Sequence, residues 1–187
     1  MALSRINSSM IGAGDVSNTE HAYLNSVTSN VQTQIDGAGG GKVLQVVSNF
    51  GGATASSTTL HTWHTAGSAI NITPASASNY ILLYASSNGY FNGGSGFPQI
   101  QMSIRRTLGG TTTNDVAEKQ EGYHDARSSG TLYGQQQFPM TALGKDIPST
   151  TSQLTYQVEY KATGASWTGT GGLFGSVNIM AMEIDAT

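Results

Sequence analysis

The sequence predicts a mainly β protein, a β-sandwich or jelly roll preceded by a short helical segment and built to associate with copies of itself. Three observations lead there. From Lys42 onward apolar residues recur at every second position, in short runs separated by Gly, Asn, Ser, Thr and Pro. Helix signals gather in the stretch before it, at 17–36. Charged residues are only 10% of the 187, so a lone chain would be weakly solvated, and much of its surface is expected to lie against sister subunits.

The same composition removes several function classes. Lys plus Arg total 8 and the formal net charge is −3. The adjacent basic pair is Arg105-Arg106. Nucleic-acid binders need clustered cations to neutralise phosphates, so no nucleic-acid partner is expected. No run approaches the roughly 18 apolar residues that read as a membrane span, so no membrane insertion is expected. The start MALSRINSSMIG lacks the apolar core of a signal peptide. Cysteine is absent, which excludes disulfides, thiolate metal sites and a cysteine nucleophile.

Taken in order, residues 1–16 are polar and contain Gly, with Leu3, Ile6, Met10 and Ile11 as large apolar side chains. These are too few for a core and have no partner in their own segment. The stretch is expected to be an extended arm that anchors by docking into a groove on something larger. Residues 17–36 carry two capping-box patterns, Ser17 with Glu20 and Ser29 with Gln32. Leu24, Val27, Val31 and Ile35 then form one apolar stripe at helical spacing. A single short helix is marginal in water, so a narrow stripe is best satisfied by copies of itself around an axis, a helical collar. The β-branched residues do not decide between two chains and three. Gly37-Ala38-Gly39-Gly40-Gly41 is the expected linker to a β domain at 42–187. GGGKV superficially resembles a phosphate-binding loop, but Asp36 replaces its first Gly and Val43 its Ser or Thr.

In the β domain, Val43–Ser48 reads as a buried strand. His61, Trp63 and Thr65 alternate with Thr62, His64 and Ala66, Ala69–Thr73 ends at Pro74, and Tyr80–Tyr84 is a second buried run. Gly89–Gly96 reads as a loop. Ile100, Met102 and Ile104 share one face of a strand and Gln101, Ser103 and Arg105 the other; Tyr156, Val158 and Tyr160 alternate likewise with Gln157, Glu159 and Lys161. Thr107–Thr113 is expected to be a loop, Asn114–Arg127 a charged loop, and Leu132–Met140 a strand interrupted by Pro139. Val177–Ile184 is a long final strand, expected to be central to its sheet. Strands of this length and spacing suggest a sandwich or jelly roll.

No catalytic, cofactor or metal site is expected. His61 and His64 are three apart and would face opposite sides of a strand. Glu118, Glu121, His124 and Asp125 read as a solvated charged loop, and no nucleophile-elbow pattern surrounds a serine. Aromatics beside Gly-rich loops, Tyr90, Phe91, Tyr123 and Tyr133, are candidate receptor-facing residues, with core or interface placement as the plainer reading.

At this point the residues carry a family likeness. AYLNSVTSNVQTQID (Ala22–Asp36) resembles a short repeat of bacteriophage tail fibres, especially those of marine and cyanobacterial phages, where it builds trimeric helical collars. GKVLQVV (Gly41–Val47), Ile70-Asn71-Ile72-Thr73-Pro74, Asn79-Tyr80-Ile81-Leu82 and the ending Ile179–Ile184 resemble the head domains of such structural proteins. Those heads are similar to the C1q/TNF-like trimeric jelly roll. The resemblance implies a homotrimer on the virion surface, whose partners are itself and a major capsid protein or a tail or portal-region protein, with a host-surface glycan as a further partner of a tail protein. Tail fibres carry a large N-terminal adaptor and a long shaft, whereas about 20 residues precede the single collar motif here. That favours a capsid decoration (cement) protein or head fibre over a tail fibre or compact tail spike, and a glycan-depolymerising enzyme stands behind both.

Overall fold

In a computed structural model, the described residues are Thr19, Tyr23, Thr33 and Ile35, then 42–52, 54–92, 99–117, 120–123, 135–164 and 169–186, with backbone alone for 120–123 and for 135 and 136. The chain divides into two compact units, Met1–Gly40 and Gly41–Thr187. In the first, the four described positions are helical, and Tyr23 and Ile35 are exposed. The arm and the collar as units lie outside the described residues.

The second unit is a two-sheet β-sandwich. Its strands are β1 (Val43–Gly52), β2 (Ala55–Ser57), β3 (His64–Ile72), β4 (Tyr80–Asn92), β5 (Gln99–Leu108), β6 (Thr111–Thr113), β7 (Gln120–Tyr123), β8 (Gln135–Asp146), β9 (Leu154–Thr163) and β10 (Thr170–Ile184). Sheet A runs β1-β10-β4-β8, with β2 also on β10; sheet B runs β3-β9-β5-β6, with β7 also on β5. Every pairing is antiparallel. The partners nest: β1 with β10, β3 with β9, β4 with β8, β5 with β7. That is the winding of a jelly roll.

Period-two alternation places the core. Ile100, Met102 and Ile104 of β5 lie opposite Ala162, Tyr160 and Val158 of β9, and all are buried. From sheet A, Ile81, Leu83 and Ala85, with Ala142, Ile179 and Ala181, close the other side. The final strand is central to sheet A, as the sequence suggested, lying between β1 and β4.

Several boundaries are corrected. β4 does not stop at Tyr84 but runs through the expected Gly/Asn loop to Asn92, because β8 and β10 hold it on both sides. Gly89 is a strand residue: a Cβ there would meet the Phe138 ring and the Met140 sulfur. β3 begins at His64, since His61 turns with φ 61° and gives its N–H to the Ala162 carbonyl at 2.8 Å. Thr111–Thr113 is a strand folded back on β5, not loop. β8 accommodates Pro139 because it ends its sheet and its second edge needs no ladder donor. Val43–Ser48 is an edge strand with one open face rather than a buried run. Where β1 passes over β3 and β10 the backbones touch closely. A Cβ on Gly52 would stand 2.7 Å from the Gly67 Cα and 2.9 Å from the Val177 carbonyl oxygen.

Candidate functional site

The two outer faces of the sandwich differ in kind. On sheet B, Gln101, Ser103, Arg105 and Thr107 of β5 stand opposite Lys161, Glu159, Gln157 and Thr155 of β9. They bond laterally: Arg105 Nη2 donates to Gln157 Oε1 at 2.8 Å, and the Thr155 hydroxyl donates to Asn71 Oδ1 of β3 at 2.7 Å. This face is polar; Ser103 and Glu159 are buried within it and the other six are part-exposed.

The outer face of sheet A is apolar. Residues directly opposite one another in a ladder point to the same side, so the register assembles the face in rows. One row is Val46, Met182, Leu82 and Lys145; the next is Ser48, Met180, Tyr84 and Leu143. Val46 is 54% exposed, Leu143 58% and Phe50, farther along β1, 64%. Between β4, β8 and β10 the surface dips into an open depression of about 420 Å³ lined by Leu82, Tyr84, Leu143, Met180 and Met182. Within these two rows Lys145 is the only charged side chain, and its ammonium lies over the Tyr80 ring, 4.0 Å from the centroid. A contiguous apolar patch is what an interaction surface presents.

Along the same sheet the face turns polar. At the irregularity of β10 between Phe174 and Asn178, a cleft of about 360 Å³ is lined by Ser86, Ser87, Asn88, Thr141, Ser176 and Asn178, beside Pro139 and Met140. Asn178 is fixed there, accepting from the Gly51 N–H at 3.0 Å and donating to the Ser86 hydroxyl at 3.3 Å. Among the described residues no charged group lines the cleft.

Buried polar groups hold the scaffold rather than present chemistry. Glu183, fully buried in β10, accepts from Gln45 Nε2 at 2.5 Å, Asn79 Nδ2 at 2.6 Å and the Ala75 N–H at 2.7 Å. Burial by itself would raise its pKa; the bonds from Asn79, Gln45, Ala75 and Ser76 outweigh that and bring it below the usual carboxylate value. Asp146, Arg106 and Tyr156 join the sheets, with Arg106 Nη1 at 2.7 Å and the Tyr156 hydroxyl at 2.6 Å from the Asp146 carboxylate. Burial, then the neighbouring Asp146, pushes the Tyr156 phenol far up.

The residues singled out in the sequence are placed as follows. Tyr90 and Phe91 stand in β4, not in a loop, and both are buried: Phe91 packs on Phe138 with ring centroids 5.3 Å apart, and Tyr90 meets Phe174 edge-on at 5.9 Å. The core reading therefore fits these two. Tyr123 lies in β7, where the backbone alone is described, and Tyr133 lies outside the described residues. So do Leu3, Ile6, Met10 and Ile11 of the arm and Leu24, Val27 and Val31 of the collar, while Ile35 is helical and 61% exposed. Among the described residues no group of three or more His, Cys, Asp or Glu side chains could hold a metal ion, and none of the described helical residues forms a helix long and apolar enough to cross a membrane. The apolar face was not legible in advance. Its residues are spread from 46 to 182, and strand register alone brings them together.

No protein-family model and no curated protein matches the chain. Among solved structures, one that matches is a chain in a structure of infectious bursal disease virus, Gt strain, with 14% sequence identity and a TM-score of 0.38. The match covers 78% of this chain and 39% of the viral one, so this chain spans well under half the length of that protein.

Proposed function

We propose that the protein is a non-enzymatic structural protein of a virus surface, a homotrimer attached to the particle through residues 1–36 as a capsid decoration (cement) protein or head fibre. The observation that carries the assembly is the contrast between the polar outer face of sheet B and the apolar outer face of sheet A. In a chain with 10% charged residues, that face is costly to leave in water. The occupant is a second and a third copy. Among the described residues the two central rows of this face hold no acidic group and one cation, which lies over an aromatic ring, so they meet a copy of themselves without like-charge repulsion. The virion placement rests on the resemblance of 22–36, 41–47, 70–74, 79–82 and 179–184 to phage collars and heads, and the C1q/TNF-like assignment rests on the same resemblance.

A second reading, a tail fibre or compact spike that binds a host-surface glycan, is favoured by one feature. The uncharged cleft of Ser, Thr and Asn side chains on sheet A suits a neutral polyhydroxyl ligand.

Light scattering of the full chain tests the assembly. The expected mass is three times the 19.5 kDa of one chain, and Met180→Asp is expected to yield single chains. A wild-type mass of one chain overturns the trimer. A wild-type trimer unaffected by Met180→Asp moves the interface off sheet A. If a single-chain protein binds particles lacking it, and Met180→Asp abolishes that binding, the face belongs to a capsid protein instead.

A further inference from the structure

Glu159 occupies a position on the polar side of sheet B, opposite Ser103 of β5 and Thr65 of β3. A carboxylate there would ordinarily be in water, yet Glu159 is 1% exposed. What covers it is the segment 114–117, between β6 and β7. Asp115, in the left-handed region at φ 62°, carries its backbone N–H to Glu159 Oε1 at 2.6 Å. On either side the segment is pinned to β5: the Val116 N–H donates to the Ile104 carbonyl at 2.9 Å, and the Ser103 hydroxyl donates to the Ala117 carbonyl at 3.0 Å. Ala117 then packs on β8, where a Cβ at Gly144 would stand 2.5 Å from its Cα.

The other oxygen, Glu159 Oε2, is buried with no hydrogen-bond partner among the described residues. Among the described residues the charged groups around this carboxyl are Asp115 from the covering segment, Arg105 from β5 and Lys161 from β9. From β3 the opposing residue is the neutral Thr65. Arg105 is turned to Gln157, its Nη2 donating there at 2.8 Å. An ionised Glu159 would therefore sit under the segment with one oxygen unsatisfied, beside a second carboxylate. A neutral Glu159 keeps the bond from the Asp115 N–H and carries its proton on Oε2.

We infer that Glu159 and the segment 114–117 form a proton-operated latch. With Glu159 protonated the segment closes over it; with Glu159 ionised, desolvation and the Asp115 carboxylate work against the closed form. The direction follows from the energetics of the group. Burial raises Glu159 from the ordinary 4.5 to about 7, and the Asp115 carboxylate adds to this, against the Asp115 N–H bond, Arg105 and Lys161, which lower it. A raised carboxyl contributes stability that is fully present below its unfolded pKa and is lost as pH rises through the folded one. The latch is thus tightest in acid and loosens as pH rises from the ordinary 4.5 to about 7, above which the loss levels off.

Amide hydrogen exchange of the full chain at pH 6 and pH 8, corrected for the intrinsic rate, tests this. Protection at Asp115 and Val116 is expected to fall by about tenfold between the two, while β4 and β10 keep theirs. Glu159→Gln is expected to abolish the difference. Equal protection at both pH values in the wild type overturns the latch, as does the same fall in Glu159→Gln. Asp115→Asn keeps the backbone donor and removes the like charge, so the fall is expected at lower pH. An unmoved midpoint in that variant overturns the part assigned to Asp115, and this arm stands even if Glu159→Gln does not fold.

Discussion

Glu183 and Glu159 are both nearly inaccessible carboxyls in central strands, and their partners drive them apart. Glu183 gathers donors from β1 and from the segment between β3 and β4, and so stays ionised. Its depressed pKa means that its contribution is present above the ordinary value of 4.5 and is lost as pH falls through the folded value. Glu183→Gln keeps the shape but weakens charge-assisted bonds, each worth about 1.5–3 kcal/mol. We expect it to lower unfolding free energy by about 2 kcal/mol at pH 7 and to flatten the acid side of the stability profile. Urea unfolding from pH 3 to 7 checks both, and an undiminished acid loss in the variant would assign that loss to another group.

At the level of elements, sheet A shows how one strand can serve two surfaces. β10 sends Ile179 and Ala181 into the core and Met180 and Met182 to the outside. β4 does the same, with Ile81, Leu83 and Ala85 inside and Leu82 and Tyr84 outside, so these two strands are apolar on both sides where most half-buried strands alternate with polar residues. Under the proposal the collar stripe at Leu24, Val27, Val31 and Ile35 is a second seam between copies. Val31→Asp puts a charge into that seam, where burying it is costly. The expected outcome is a variant whose particle incorporation drops sharply while the β domain melts as before. If its incorporation and unfolding both match the parent's, the seam does not exist.

For the whole molecule, the proposal divides the work between attachment by residues 1–36 and a self-sufficient jelly roll. The unit Gly41–Thr187 contains all ten strands assigned among the described residues, and the core cluster lies within it. A chain beginning at Gly41 is therefore expected to be soluble, to fold and to trimerise through sheet A, yet not to decorate particles that lack the protein. Three weak arms on one trimer would attach firmly because docking of one holds the others at high local concentration. Binding by the shortened trimer equal to that of the full chain would locate attachment on the jelly roll; failure to fold would make the collar part of the core assembly.

Alternation is a property of neighbouring residues, so it was legible before any fold was known. Ile100, Met102 and Ile104 face inward as their spacing required, Tyr156, Val158 and Tyr160 meet them, and Val177–Ile184 lies in a central strand. Where alternation is weak, pairing decided. Gly89–Asn92, the first part of the expected loop Gly89–Gly96, is strand because β8 and β10 flank it, and Gly89 fits because the Phe138 ring and the Met140 sulfur occupy the space a side chain would need. The sequence by itself determined the fold class, the absence of cysteine chemistry and the sides of the clearest strands. Only the tertiary structure decided that Val46, Leu82, Tyr84, Leu143, Met180 and Met182 form one face, and that a backbone segment bends over Glu159. The reason is that a period tells which residues share a side of a strand, whereas what covers that side depends on register with segments far away along the chain.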